Sequence, residues 1–222
     1  LQERIDGIPA SIVFAAAGGR AVPLGVSHQL IGDPEFGGSG FRYCGSILAN
    51  PDVLFESGAA LIERARAIVD VVTREYGLIG VNGIDFIARD DLPFPIEVNP
   101  RWCSSMELVE RAHERSVFAI HARACDQSVL PGDDLVGAVP RDVVTGKAIV
   151  YARSSVMIGD TRGWLGDSDI RDVPHPGERI PRGAPICTVF AGASDVAACR
   201  AALTMRAREI YACLERWRQE AA

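Results

Sequence analysis

Lysine is almost missing from this sequence: Lys147 is the single lysine among 23 basic residues, and the arginines form no run. Against 29 acidic residues this gives a formal charge of −6 and a pI near 5.3. The chain therefore has neither the overall field nor a local basic footprint for a phosphate backbone, which excludes nucleic acid as a partner. Paired cysteines are missing too. The six cysteines, at 44, 103, 125, 187, 199 and 213, make no CxxC, and no histidines stand at ligand spacing. Neither a zinc site nor a disulfide framework is expected, and a reducing, cytoplasmic setting fits best. No apolar run approaches the roughly 20 residues that span a bilayer, and no signal-peptide pattern is present, so no membrane association is expected. An initiator Met is also missing. Leu1-Gln2-Glu3-Arg4-Ile5-Asp6-Gly7 reads as the middle of a longer sequence, and an N-terminal portion is expected before it.

What is present is enough for a core: 222 residues, 48% of them hydrophobic, with a mean hydropathy of +0.11. That supports one large domain or a domain and a half. Residues 8–17 and 21–31 are Val-, Ile- and Ala-rich stretches separated by Gly18-Gly19-Arg20, the pattern of a hairpin. Gly37-Gly38-Ser39-Gly40 reads either as a mobile loop or as a phosphate wrap, and Phe41 to Leu48 alternates as a strand. From Val53 to Tyr76 the residues Leu54, Leu61, Ile62, Ala65, Ile68, Val69 and Val72 recur at helical spacing, and Gly77 closes the helix. A second helix is predicted from Ser104 to about Cys125, started by a Ser104–Glu107 capping box. A composition shift at Pro131-Gly132-Asp133-Asp134 suggests a boundary between residues 1–130 and 131–222. Beyond it come a strand over 145–152, compact β structure with Pro and Gly turns over 173–190, and a closing helix over 195–217.

The chemistry is concentrated in Val81-Asn82-Gly83-Ile84-Asp85-Phe86-Ile87 and Pro95-Ile96-Glu97-Val98-Asn99-Pro100-Arg101-Trp102. With a turn centred near Asp91, Asp85 lies opposite Glu97 and Gly83 opposite Asn99, and Glu97 and Asn99 share a face. Carboxylates facing each other across a ladder repel unless a cation or a proton lies between them. Two carboxylates and an amide are hard oxygen donors, which suit Mg²⁺ or Mn²⁺ rather than zinc or copper. Mg²⁺ held by so few protein ligands is usually completed by water and substrate phosphate, so a nucleotide is expected. Arg101 leaves the strand on the same side, where its guanidinium can hold a phosphoryl or carboxylate group. The helix start at Ser104-Ser105 adds a positive dipole end.

Gly83-Ile84-Asp85-Phe86 followed by Ile96-Glu97-Val98-Asn99-Pro100-Arg101 resembles the metal-binding end of the ATP-grasp superfamily, in the branch of predicted carboxylate–amine ligases related to biotin carboxylase. Gln2-Glu3-Arg4-Ile5-Asp6-Gly7 and the Ser11-Ile12-Val13 strand resemble the hinge of that fold. The resemblance implies an α+β fold. Residues 1–130 would be the C-terminal subdomain of the ATP-grasp fold, an antiparallel sheet with packed helices, followed by a small β-rich domain with a terminal helix. It also implies ATP and Mg²⁺ (or Mn²⁺) as cofactors. Asp85, Glu97 and Asn99 would be metal ligands, Arg101 the residue that steadies an acyl phosphate, and Glu3 and Ile5 the hinge positions at adenine. The family often places a Glu two residues past the hinge Gly to hold the ribose; here that position is Pro9, and Asp6 is the substitute.

The activity implied is amide formation between a small carboxylate and an amine, with a glutamate-like amino acid and a cofactor precursor as substrates by analogy. The alternatives are a bicarbonate-activating carboxylase and a non-catalytic nucleotide-binding or assembly module. Related carboxylases pair, so a homodimer is an expectation. The lysines that neutralise phosphate in the family precede the hinge, so this sequence reads as the second half of a nucleotide clamp. Outside the hairpin, Gln29 with His28, and Tyr43 with Gly45 and Ser46, are substrate-contact candidates. His113, His121 and His175 read as surface or core histidines, and the cysteines as small core residues, among which Cys103, beside Arg101, is the candidate for the most reactive thiol.

Overall fold

The computed structural model describes residues 3–132 and 135–220; Gln2, Asp133 and Asp134, named above for the hinge and the boundary, lie outside them. One eight-stranded antiparallel sheet organises the chain. Its strands are β1 (Ile8–Ala17), β2 (Arg20–Ile31), β3 (Tyr43–Leu48), β4 (Gly80–Arg89), β5 (Leu92–Asn99), β6 (Val144–Tyr151), β8 (Ile170–Arg171) and β10 (Pro185–Ala193). Their order across the sheet is β5-β4-β1-β2-β3-β6-β10-β8, while β7 (Val156–Met157) and β9 (Arg179–Ile180) pair by themselves. The helices are α1 (Pro51–Leu54), α2 (Gly58–Tyr76), α3 (Met106–His113), α4 (Val117–Gln127) and α5 (Val196–Glu220).

β1 is apolar almost throughout because both of its faces are covered. Ala10, Ile12, Phe14 and Ala16 pack with Leu61, Ile62, Ala65 and Val69 of α2. Val13 and Ala15 pack on the other side with Met106, Leu108 and Val109 of α3 and Val117 of α4. A further cluster joins β3, β6 and β10 to Cys199, Leu203, Ala207, Ile210 and Leu214 of α5. The β3–β6 ladder, with Ser46 opposite Lys147, carries the sheet from residues 1–130 into residues 131–222 without a break in hydrogen bonding.

Two of the three predicted helices are interrupted, while the closing one runs unbroken as α5. The stretch from Val53 divides into α1 and α2 because Phe55 turns extended (φ −135°, ψ 148°) and buries its ring. Gly77 closes α2 in the left-handed conformation (φ 58°), as expected, with its N–H donating to Thr73 O. The stretch from Ser104 divides into α3 and α4 at Glu114 (φ 51°). Ser116 restarts the helix, its hydroxyl accepting from Ala119 N (3.1 Å), while Glu110 accepts from Val117 N (2.7 Å). The Ser104–Glu107 capping box does not form. Ser105 is the N-cap, without a side-chain hydrogen bond, and Glu107 is drawn away to Lys147.

Candidate functional site

The β4–β5 hairpin places Asp85 opposite Glu97 and Gly83 opposite Asn99. The route to that register differs from the simple one. Arg89 pairs with Leu92 around a two-residue turn at Asp90 (φ 51°) and Asp91 (φ 59°), which in a regular ladder would pair Asp85 with Ile96. A bulge intervenes: Phe86 pairs with Pro95 and Asp85 with Glu97, leaving Ile96 as the extra residue.

On the face covered by α3, a polar row crosses the sheet. Asp85 pairs with Ser11 on β1, Ser11 with Ser27 on β2, and Gln29 with Ser46 on β3. Gln29 Nε2 donates to Asp85 Oδ1 (2.9 Å) and Asn99 Nδ2 to Asp85 Oδ2 (3.3 Å). Arg101 donates to Asn99 Oδ1 (2.8 Å) and to Trp102 O (3.1 Å). Burial pushes the Asp85 carboxyl above the ordinary carboxylate value; the Ser11 hydrogen bond opposes this and the Glu97 charge adds to it.

Two cavities adjoin this row and share Gln29, Ile31 and Asp85. The first, of about 300 Å³, is lined by hydroxyls from Ser11, Tyr43, Ser46, Ser104 and Ser105 together with Asn99 and Arg101. The second, of about 400 Å³, is largely apolar, with Ile5, Phe41, Phe86, Ile87 and Ile96 in its wall alongside Asp6. The hinge candidates Ile5 and Asp6 thus line the apolar groove. Asp6 pairs with Arg4 (3.1 Å), and Glu3 is exposed and outside the lining.

Gln29 and the Tyr43–Ser46 pair reach the site. His28, one residue out of phase, faces the opposite side of the sheet, where burial and then Arg200 lower its pKa. Cys103 is buried as a core cysteine, and its candidacy as the reactive thiol is overturned: burial and then the Asp85 charge push its thiol up to about 11, so it is a poor nucleophile. Ser11 was missed by sequence reasoning. Its signal is a lone polar residue in an otherwise apolar strand, in register with Asp85.

The donor set fits a hard divalent cation. Asp85 keeps lone pairs beyond those taken by Gln29 and Asn99, and the neighbouring Glu97 charge gives a cation a reason to bind. Among the described residues no cluster of three or more His, Cys, Asp or Glu could hold a metal, so a metal here needs oxygen ligands from elsewhere as well. No helix among these residues is long and apolar enough to cross a membrane.

Residues 1–105 match the family model described as an ATP-grasp domain. The uncharacterized protein MJ0776 of Methanocaldococcus jannaschii is 26% identical over 120 residues, covering 54% of this chain and 28% of that protein. Among solved structures, an L-amino acid ligase from Bacillus licheniformis superposes with a TM-score of 0.67 at 13% identity, covering 93% of this chain and 53% of its own. Phosphoribosylglycinamide synthetase from Anaerococcus prevotii gives 0.64 at 14% identity, over 91% and 52%. Biotin carboxylase from Campylobacter jejuni, solved as a β,γ-ATP complex, gives 0.64 at 12% identity, over 90% and 45%. The chain therefore spans about half the length of these structures and just over a quarter of the curated relative. Motif, sheet and domain match agree: residues 1–105 are similar to an ATP-grasp domain, and the chain shares the fold of these ligase and carboxylase structures.

Proposed function

We propose that this chain carries the metal–nucleotide side of an ATP-dependent carboxylate–amine ligase. A substrate carboxylate oxygen attacks the γ-phosphorus of ATP and ADP leaves. The amine nitrogen then attacks the acyl-phosphate carbon, phosphate is expelled and the nitrogen loses a proton, leaving an amide. The observation that supports this best is the bulged pairing of Asp85 with Glu97, with Asn99 and Arg101 on the same side, at the junction of a polar and an apolar cavity.

In this reading Asp85, Glu97 and Asn99 hold Mg²⁺ (Mn²⁺ as a substitute), whose chemistry when bound is to neutralise charge on the β- and γ-phosphates. The apolar groove takes the adenine, with Ile5 and Asp6 at its hinge side and Glu3 contributing at most through main-chain atoms. Arg101, held by Asn99, steadies the phosphoryl and tetrahedral groups from the polar cavity. Residues 1–130 form the nucleotide-binding portion and 131–222 an appended portion. The remainder of the clamp comes from the half of the related structures that this chain does not cover. A small carboxylate, an amine, an amino acid with a cofactor precursor, a homodimer and a cytoplasmic location complete the proposal.

Calorimetric titration with Mg-ATP, together with substrate-dependent ADP release from the chain and from a version extended by the complementary clamp half, tests it. Glu97→Gln is expected to abolish the metal-dependent heat and to reduce turnover by at least 10²-fold. Undiminished turnover in that variant rejects the assignment. ADP release that depends on bicarbonate would select the carboxylase alternative, and absence of metal–nucleotide heat from both proteins would select a non-catalytic assembly module.

A further inference from the structure

We propose that the 300 Å³ cavity between β3, β4 and the start of α3 seats the carboxylate substrate. We assign it a small monocarboxylate carrying a hydroxyl group, selected by the hydroxyls of Tyr43 and Ser46. The inference rests on the ligase reading above and specifies its substrate class.

Size sets the first limit. At about 30 Å³ per water-sized atom, a 300 Å³ cavity holds roughly ten non-hydrogen atoms, the scale of an amino acid or hydroxy acid.

Charge sets the second. Arg101 is the basic residue in the lining. Lys147 lies opposite Ser46 across the β3–β6 ladder, but its buried ammonium is engaged by the Glu107 carboxylate and by Ser104 O (3.2 Å). A single ligand carboxylate therefore finds a cation, whereas a second would be desolvated without one, beside Asp85.

Hydrogen bonding sets the third. Tyr43 OH and Ser46 Oγ are 2.9 Å apart, and Tyr43 also bonds to Ser104. Three hydroxyls joined in this way keep a donor proton and several lone pairs, so they can both give to and take from a ligand. Ser46 is 1% exposed, so a partner for it must enter the cavity. The pair is rigidly backed: Tyr151 OH donates to Tyr43 O (2.8 Å) and Tyr211 OH on α5 to Tyr151 O (2.9 Å). Preformed polar groups reject an analogue lacking the matching group, because they are then left unpaired.

The test is saturation-transfer NMR on the chain with matched probes: lactate against propionate, serine against alanine, and malate and succinate as dicarboxylates. The hydroxyl-bearing monocarboxylates are expected to bind on the order of ten-fold tighter than their deoxy partners, with the dicarboxylates weaker than both. Tyr43→Phe and Ser46→Ala should each erase that preference while the circular dichroism spectrum and the Mg-ATP titration stay as in the parent. Failure of every monocarboxylate to bind, equal binding of the dicarboxylates, or an unchanged preference in both variants overturns the proposal. Absence of Mg-ATP heat from both the chain and its extended form, with the carboxylate preference intact, instead overturns the ligase reading and leaves the subsite standing.

Discussion

Arg101 donates one guanidinium nitrogen to Asn99 and another to its neighbour's carbonyl, so its orientation is set before any ligand arrives. A side chain held in this way acts on charge that develops during reaction without reorganising first. Arg101→Ala is expected to lower kcat on the order of 10²–10³-fold with little change in the KM for ATP, measured by ADP release. Cys103 offers a complementary check on the environment. With its thiol pushed up to about 11, it should be alkylated at pH 8 far more slowly than the exposed Cys125, in an order read by mass spectrometry. The identities of Asp85, Glu97, Asn99 and Arg101 as a group were legible from residue type and spacing. The failure of Cys103 to be reactive was not, because desolvation depends on what packs around the sulfur.

At the scale of elements, the β5 bulge matters most. Without the bulge, the two-residue turn would place Ile96 opposite Asp85 and turn Glu97 to the α2 face. β3 shows a similar dependence on backbone detail. Gly45 has φ +146°, and a Cβ there would lie 2.1 Å from Lys147 O on the neighbouring strand. Gly45→Ala should therefore destabilise the fold by about 2 kcal/mol or more, measured by urea unfolding. The Arg111–Asp169, Arg206–Asp169 and Arg206–Asp167 pairs tie α3 and α5 to the loop before β8. Asp167 has its pKa lowered, chiefly by the Asp169 N–H and next by Arg206. A depressed carboxylate contributes stability above its unfolded pKa and loses it as pH falls through the folded one. The deficit of Asp167→Asn should be about 1 kcal/mol or less at pH 7, given the group's partial exposure. It should close as pH falls below the ordinary value of 3.8.

Across the whole molecule, the β3–β6 ladder and the α5 core make residues 131–222 part of the same sheet as residues 1–130. Coincident urea transitions are expected from far-UV circular dichroism and, in a Trp102→Phe background, from the fluorescence of the tilted Trp164–Trp217 pair, which lies in the later portion. Two separated transitions would show independent units. The sequence by itself determined where the main strands and helical stretches lie and the hard-oxygen character of the site, because side-chain chemistry and local periodicity are properties of short stretches. Only the tertiary structure decided the helix breaks at Phe55 and Glu114, the bulge at Ile96, the recruitment of Ser11 and the capture of Glu107 by Lys147. Those outcomes depend on which distant residues compete for a surface or a charge, and that competition is settled when the sheet closes.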